Sequence, residues 1–341
     1  MAAAICYGGR DPVTQPPRHP TAAPADAPTS GMRFLPGGVF AMGSDRFYPE
    51  EAPVRRVRVD AFWIDETPVT NRDFARFVAD TGHRTLAEIP PDPADYPGMS
   101  PDMARAGSLL FHRTAGPVDL GDPAQWWTFS FGTDWRHPHG ADSGLDDLWD
   151  HPVVHVNFDD AAAYAAWAGK ALPTEAEWEF AARGGLDGAD YAWGDELAPG
   201  GVHRANTWQG LFPFSNLLDD GYERTSPVRS YPADGHGLYD MIGNVWEWTA
   251  DWYAAPRRAV KAKGGKAKAA CCIPANPRGA TWRDSIDPAT PGSRFGRKVL
   301  KGGSHLCAPG YCQRYRPAAR HPQTTDSATS HIGFRCVIRG G

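Results

Sequence analysis

Two cysteines in the carboxyl-terminal part of the sequence have the spacing of a metal-binding pair. Cys307 and Cys312 flank a Pro-Gly turn, so their side chains can face each other across it. Paired thiolates are soft ligands that suit Cu(I) or Zn(II). The same spacing also fits two buried, inert thiols or a small disulfide loop, because it is not a zinc-finger spacing and no second Cys/His pair accompanies it. Spacing alone leaves these interpretations open.

Two clusters of oxygen-bearing side chains are candidate sites for a hard metal ion. Asn206, Asp219 and Asp220 surround a Gly/Pro-rich loop, and Asp240 precedes Glu247 across a Gly-containing turn. Carboxylate and carbonyl oxygens are the ligands that Ca²⁺ prefers. Neither cluster has the spacing of an EF-hand, and acidic residues that simply form turns explain both clusters as well.

The remaining reactive side chains match no common catalytic motif. The twelve histidines form no metal triad at motif spacing, and the sequence contains neither a phosphate-cradling Gly loop nor a Gly-x-Ser-x-Gly elbow. Phosphoryl transfer and serine hydrolysis therefore lack support. The 35 Lys and Arg residues nearly balance the 40 Asp and Glu residues, for a net charge of −5, which argues against a nucleic-acid binder.

Composition predicts a single loop-rich domain. Gly (37) and Pro (32) make up about a fifth of the 341 residues, while 13 Trp and 15 Phe supply apolar surface to bury. We expect this domain to cover residues 32–341. Residues 1–31, rich in Pro, Ala and Thr, are expected to form a disordered tail. Residues 257–300 are expected to be a partly flexible insertion, because they contain the basic low-complexity run 261–268.

The sequence also suggests where the protein works. No run of 18 apolar residues is present and the first residues lack the basic start of a signal peptide, so we expect a cytoplasmic protein without a membrane span. Six cysteines are too few for a disulfide scaffold at this length. The adjacent Cys271 and Cys272 receive no role. Because no strong interface pattern occurs, we expect a monomer.

Capping signals predict three helices that position these residues. Thr70 caps a helix with Phe74 and Phe77 on one face, and Gly82 ends it. Asp159 or Asp160 is expected to cap an Ala-rich helix that reaches Gly169. A Thr-x-x-Glu capping box at residues 174–177 opens the third helix, with Trp178 and Ala181 facing inward. Alternation of Val57, Val59 and Ala61 with charged residues predicts a strand, and residues 153–156 are expected to form a buried strand.

Taken together, these fragments resemble the formylglycine-generating enzyme (sulfatase-modifying factor) family, prokaryotic type. The matching stretches lie at 35–43 (LPGGVFAMG), 151–156 (HPVVHV), 172–179 (LPTEAEWE), 205–210 (ANTWQG), 243–248 (GNVWEW), 302–312 (GGSHLCAPGYC) and 333–336 (GFRC). Much of this pattern belongs to the wider superfamily. The cysteine pair in its Gly-Gly-Ser context is the part that distinguishes members with this chemistry.

The resemblance implies an α+β fold with little regular secondary structure, similar to C-type lectins and stabilised by one or two calcium ions. Carried over by position, the first calcium would be held by the side chains of Asn206 and Asp220 and the carbonyls of Thr207 and Tyr222. The second calcium would be held by four ligands: the side chains of Asp240 and Glu247 and the carbonyls of Gly243 and Val245.

The implied reaction converts the cysteine of a Cys-x-Pro-x-Arg segment in an unfolded sulfatase into Cα-formylglycine. Cys307 and Cys312 would hold Cu(I), the substrate cysteine would join as a third sulfur ligand, and O₂ would be the acceptor, with a thiol reductant. A soft ion with few ligands leaves room for that third sulfur. The resemblance also assigns active-site positions to Ser304, Trp246, Tyr311 and Arg316.

Several positions depart from the family pattern. Ala308 replaces a histidine, His305 replaces an aromatic residue, and His331 replaces an asparagine. The positions that pair as disulfides in secretory-pathway members hold Ala165, Ala182 and Pro317, which leaves Cys336 alone and fits a reducing cytoplasm. The alternative function is a non-catalytic module on the same fold that binds sulfatases or peptides. Retention of both cysteines argues against it.

Overall fold

The computed structural model describes residues 29–254, 273–290 and 292–340. Most of the predicted tail, the basic run 261–268 and three cysteines (Cys6, Cys271 and Cys272) lie outside the described residues. Of the helices that are described, none has the length and apolar character that a membrane-spanning segment requires.

Regular elements are short and separated by long connections. Four helices are described: α1 (Asn71–Thr81), α2 (Phe158–Trp167), α3 (Glu175–Ala182) and α4 (Trp282–Ser285). The strands are β1 (Met32–Leu35), β2 (Gly38–Met42), β3 (Arg55–Val59), β4 (Phe62–Asp65), β5 (Gly107–Phe111), β6 (Trp127–Phe131), β7 (Gly210–Leu211), β8 (Ser215–Asn216), β9 (Trp246–Trp252), β10 (Arg297–Lys301), β11 (His321–Thr324), β12 (Ile332–Gly333) and β13 (Val337–Arg339).

Two small sheets and three hairpins organise these strands. The larger sheet has the order β11-β10-β9-β12, in which β12 runs parallel to β9 and the other pairs are antiparallel. A three-stranded sheet has the order β1-β4-β13, and the hairpins pair β2 with β3, β5 with β6 and β7 with β8. This mixture confirms the predicted α+β fold with little regular structure.

Local capping chemistry explains α1 and α3, which form as predicted. The Thr70 hydroxyl accepts the backbone N–H of Asp73 at 3.2 Å, and Gly82 ends α1 in the left-handed conformation at φ 68°. In α3, Thr174 and Glu177 form the predicted capping box. Trp178 of α3 has no exposed surface, so its indole belongs to the core.

The predicted cap of α2 is wrong by two residues or more. Asn157 caps the helix, because its side-chain oxygen accepts the backbone N–H of Asp160 at 2.8 Å. Asp160 completes the capping box, since its carboxylate accepts the N–H of Asn157 at 3.0 Å. An asparagine at the residue before Phe158 was the stronger capping signal, and α2 therefore begins at Phe158.

The strand predictions are only partly right. Val57 and Val59 lie buried on β3 as expected, but β3 ends before Ala61. Residues 153–156 are buried, yet they form no strand. His155 interrupts the extended backbone at φ 60°, and the N–H of Val153 donates to Val69 O at 2.9 Å in an isolated contact. A buried apolar run is therefore not by itself a strand signal.

The buried core has two large parts and a smaller aromatic one. The first part joins α1 and α2 to the strands that lead to the cysteines, and it contains Phe74, Tyr164, Trp246, Cys307 and Phe334. The second part packs α3 between β2, β3 and β4. The third lies beside the cysteines and consists of Phe111, Trp126, Trp208, Phe212, Leu306 and Ala308. The cysteine segment is thus enclosed by core on two sides.

Candidate functional site

Strand β10 delivers the cysteine segment through a Gly-Gly turn. Gly302 and Gly303 both have positive φ angles, 94° and 71°. A Cβ on Gly303 would lie 2.8 Å from the backbone nitrogen of Tyr315, and a Cβ on Gly302 would lie 2.9 Å from Met241 O. Only glycine fits both the backbone conformation and the close approach, so these residues fix where the next segment begins.

A tight turn then brings the two thiols together. The backbone N–H of Cys312 donates to Ala308 O at 2.8 Å, and that of Cys307 donates to Ser304 O at 2.9 Å. The sulfur atoms of Cys307 and Cys312 lie 3.2 Å apart as free thiols. Cys307 is buried and Cys312 is half-buried. Two adjacent soft donors with one side open to solvent form a site that a soft metal ion and a further ligand can share.

The two thiols differ in acidity. A hydrogen bond from Cys307 lowers the pKa of Cys312 from its usual value, and the nearby Arg314 guanidinium acts in the same direction. Burial raises the pKa of Cys307 well above its usual value. Because a thiolate is both the better nucleophile and the better metal ligand, Cys312 is the more reactive of the two thiols.

Aromatic rings pack next to the cysteine segment. Tyr311 stacks on Phe212 with ring centroids 4.2 Å apart, and Trp126 meets Tyr311 edge-on at 5.6 Å. Trp246 shares the buried cluster of Cys307, and its ring lies 5.6 Å from that of His321. The structure therefore places Tyr311 and Trp246 at the thiol segment and its surrounding core.

Ser304 is fully buried directly before the thiols. Its backbone N–H points at the sulfur of Cys307 at 3.5 Å, and its hydroxyl accepts the N–H of Leu306 at 3.2 Å. The hydroxyl proton remains available to a neighbouring acceptor. Ser304 thus supports the turn and also presents a proton donor within it.

Arg316 lies close in sequence, but its guanidinium is already engaged. Arg316 Nη1 donates to Glu51 at 2.8 Å, and its Nε donates to Gln313 O at 2.7 Å. Both partners of the Arg316–Glu51 ion pair are almost fully buried. Arg316 therefore fixes the segment that follows Cys312, and the structure does not direct it at the thiols.

The arginine that faces the thiols is Arg314, which the sequence did not single out. Arg314 Nη1 lies 4.0 Å from the sulfur of Cys312. The only sequence signal was its position two residues after Cys312. Its acidic partner Glu50 lies 264 residues away along the chain, so no local pattern announced the pair.

The residues predicted to hold the first calcium ion do come together. The N–H of Thr207 donates to one carboxylate oxygen of Asp220 at 3.0 Å, and the N–H of Tyr222 donates to the other at 3.0 Å. Asn206 is buried, and its Oδ1 has no hydrogen-bond partner among the described residues. A buried side-chain oxygen without a partner is an atom that a bound cation would satisfy. Asp219 is exposed.

The residues predicted for the second calcium ion give a mixed result. Desolvation raises the pKa of Asp240 to about 6, as expected of a carboxylate that lacks a full counter-charge. Glu247, in contrast, is fully buried and accepts hydrogen bonds from Arg335 and from Trp178, the latter at 2.8 Å. The charge of Glu247 is thus already neutralised. Gly243 packs on the first cluster, since a Cβ there would lie 2.4 Å from Asn206 O.

The histidines that depart from the family pattern lie around the site. His305 is buried, and its Nδ1 contacts Asn244 O at 2.8 Å. The His331 ring packs on Trp127 at 4.8 Å, and its Nδ1 lies 2.7 Å from the Thr329 hydroxyl. No cluster of three or more His, Cys, Asp or Glu side chains able to hold a metal occurs among the described residues.

A buried histidine makes the fold sensitive to acid. His155 has no exposed surface, and burial lowers its pKa from 6.5 to about 4. The unfolded chain therefore takes up a proton before the folded one, so His155 contributes stability above pH 6.5 that is lost as the pH falls toward 4.

Urea unfolding at pH 7 and pH 5 measures this loss of stability. We expect His155→Gln to reduce the difference in unfolding free energy between pH 7 and pH 5 by up to about 2 kcal/mol, whereas the exposed His112→Gln leaves it unchanged. An unchanged pH dependence in His155→Gln would contradict this assignment.

Known proteins match this chain over most of its length. The sulfatase-modifying factor enzyme 1-like domain profile matches residues 18–340. A Mycobacterium tuberculosis protein named formylglycine-generating enzyme is 54% identical over 89% of this chain and 96% of its own length. A Mus musculus protein of the same name is 41% identical over 93% of this chain and 77% of its own length.

Two further matches are a relative whose name describes it as inactive and a solved structure of the same fold. A Bos taurus protein named inactive C-alpha-formylglycine-generating enzyme 2 is 38% identical over 92% of this chain and 89% of its own length. The solved structure of PvdO from Pseudomonas aeruginosa matches with a TM-score of 0.58 and 21% identity, covering 91% of this chain and 94% of that one. The second match shows the fold alone and agrees with the fold predicted from the sequence.

Proposed function

We propose, from the premise that this chain belongs to the formylglycine-generating enzyme family, that it oxidises the cysteine of a Cys-x-Pro-x-Arg segment in an unfolded sulfatase to Cα-formylglycine with copper and O₂. The relationship makes the chain an oxidoreductase that acts on a protein cysteine. The observation that carries the copper proposal is the pair of free thiols 3.2 Å apart in an enclosed turn.

The donor set fits Cu(I). Cys307 and Cys312 supply two soft sulfurs, and the half-buried side of Cys312 leaves access for a third sulfur from the client. Bound there, copper would supply the one-electron chemistry with O₂ that protein side chains lack. The protein itself holds the client thiol near the pair, limits water through Tyr311, Phe212 and Trp126, and offers the Ser304 hydroxyl as a proton donor.

Full reduction of O₂ to water requires an added reductant. The client CH₂–SH loses two electrons and two protons to become a thioaldehyde, and water hydrolyses the thioaldehyde to the aldehyde and H₂S. O₂ takes up four electrons and four protons to form two water molecules, so the client supplies half of the electrons. A thiol reductant supplies the other two electrons and two protons by forming a disulfide. We therefore propose a small-molecule or protein thiol as the third participant beside the sulfatase and O₂.

The direct test is the conversion of a peptide. Copper-loaded protein, O₂ and a thiol reductant are incubated with a Cys-x-Pro-x-Arg peptide and, in parallel, with a matched peptide in which Ala replaces Pro and Arg. We expect the first peptide to lose about 18 Da and a far smaller fraction of the second peptide to do so. Copper supplies the chemistry, whereas the protein orients the client segment through its Pro and Arg. Copper and peptide binding without any mass change would favour the non-catalytic binding module.

We propose calcium at the cluster of Asn206, Thr207, Asp220 and Tyr222, supported by the unpartnered Asn206 oxygen. Calcium at the second set would have to compete with Arg335, which already pairs with Glu247. Calcium at about 100 times its dissociation constant should raise the free energy of unfolding by about 2.7 kcal/mol, since it binds only the folded chain.

Urea unfolding with calcium and with a chelator measures this stabilisation. Asp220→Asn should lose most of it, because the carboxylate charge is removed from the cluster. Asp219→Asn is the matched control, since it alters an exposed neighbour outside the cluster. Equal calcium stabilisation in the two variants would contradict the proposed ligand set.

The cysteines support a cytoplasmic location. Cys307, Cys312 and Cys336 are all free thiols, as expected of a protein kept in a reducing compartment. Cys336 is fully buried, and its backbone N–H donates to Asp65 at 2.9 Å.

A further inference from the structure

One arginine connects the thiol pair to a distant acidic segment. Arg314 Nη1 lies 4.0 Å from the sulfur of Cys312, and Arg314 Nη2 donates to Glu50 at 2.6 Å. Arg314 is thus shared between a carboxylate and a sulfur. Its Nε has no hydrogen-bond partner among the described residues, so Cys312 and Glu50 are its identified polar neighbours.

The surrounding contacts hold this guanidinium in one orientation. Arg314 stacks on the ring of Tyr48 at 3.8 Å, and the Tyr48 hydroxyl accepts the backbone N–H of Gln313 at 3.0 Å. The Arg316–Glu51 ion pair joins the same two chain segments, two residues after Arg314 and one residue after Glu50. A side chain held by an ion pair and an aromatic ring, next to a backbone N–H that is fixed by the same tyrosine, does not need to be ordered when a ligand arrives.

The negative charge of the copper-loaded thiol pair requires a positive charge nearby. Two thiolates around one Cu(I) ion carry a net charge of −1, and a client thiolate would make it −2. Burial penalises uncompensated charge strongly, and a cation within about 4 Å of a sulfur reduces that penalty. Arg314 is always protonated, so it supplies this positive charge at every working pH.

We propose that Arg314, held by Glu50 and Tyr48, is the positioning residue that offsets the negative charge of the copper-loaded thiol pair. The inference rests on the proposed function. Since groups that support metal ligands typically contribute 10- to 100-fold in metal affinity, Arg314→Gln should weaken Cu(I) binding by roughly 10-fold or more. Arg314→Lys keeps the charge and should recover part of that loss, but its compact ammonium cannot reproduce the planar fork that reaches both Glu50 and Cys312.

Anaerobic competition with a chromophoric Cu(I) chelator measures this affinity directly, without turnover. Arg297→Gln is the matched control, because Arg297 is similarly buried, pairs with Asp287 at 3.0 Å and lies near the ring of Tyr253. The expected order of Cu(I) affinity is wild type and Arg297→Gln close together, then Arg314→Lys, with Arg314→Gln the weakest. Arg314→Gln with wild-type affinity and an intact thermal transition would overturn the proposal.

A second variant covers the case in which Arg314→Gln fails to fold. The double replacement Arg314→Gln with Glu50→Gln removes both charges and leaves no unpaired carboxylate, which is far better tolerated than breaking the pair. Its Cu(I) affinity should fall as in the single variant, and wild-type affinity would overturn the inference. Wild-type protein that binds no Cu(I) would overturn the copper proposal together with this one. Wild-type Cu(I) binding with no effect of Arg314 would overturn only the role of Arg314.

Discussion

Serine in place of Cys307 or of Cys312 is expected to abolish both Cu(I) binding and formylglycine formation. Either change replaces a soft sulfur by a hard hydroxyl and leaves one thiolate, which cannot form the two-sulfur site. The loss should exceed the roughly 100-fold that removal of a supporting group costs. Copper stoichiometry and the mass of the product peptide measure the two effects separately.

Cys336→Ala is the matched control for both serine variants. Cys336 is also a free, buried thiol, but it lies against Asp65 in the core and not at the pair. Its replacement should cost only the small stability penalty of a minor cavity and should keep copper binding and turnover. A Cys307→Ser variant that still converts peptide at the wild-type rate would contradict the two-thiolate site.

Removal of Glu51 is expected to destabilise the fold by about 3–5 kcal/mol, because Glu51→Ala leaves the buried guanidinium of Arg316 without its partner. The two side chains are 0% and 1% exposed, so water cannot replace the lost contact. Urea unfolding of the variant and the wild type measures the difference.

The control for this prediction is an exposed ion pair. Asp150 pairs with Arg72 at 3.0 Å, and both side chains are about half exposed or more. Asp150→Ala should therefore cost no more than about 1 kcal/mol. If Glu51→Ala were equally mild, Arg316 would not be committed to its ion pair, and a direct role at the thiols would again fit it.

Local sequence signals predicted those parts of the fold that local interactions determine. The Thr70 and Thr174 caps identified α1 and α3, because a cap is made by residues within one turn of each other. The spacing of Cys-Ala-Pro-Gly-Tyr-Cys at residues 307–312 likewise predicted that Cys307 and Cys312 can face each other, since the turn that joins them is short.

Contacts between residues far apart in the chain could not be predicted from local sequence patterns. Arg314 and Glu50 are far apart in the chain, and only the folded structure shows that Arg314, and not Arg316, faces Cys312. No strand was predicted from the sequence for the hairpin of β5 and β6, which pairs residues 107–111 with residues 127–131. Residues 153–156 were misassigned because burial without strand pairing has the same apolar pattern as a buried strand.

Titration of metal-free protein with Cu(I), with the initial rate of formylglycine formation measured after each addition, tests the central claim most directly. The thiol pair predicts no conversion in the metal-free protein and a rate that rises linearly to a plateau at one Cu(I) per chain. Full conversion by metal-free protein, or a rate that does not follow copper occupancy, would contradict the assignment of Cys307 and Cys312 as the copper site.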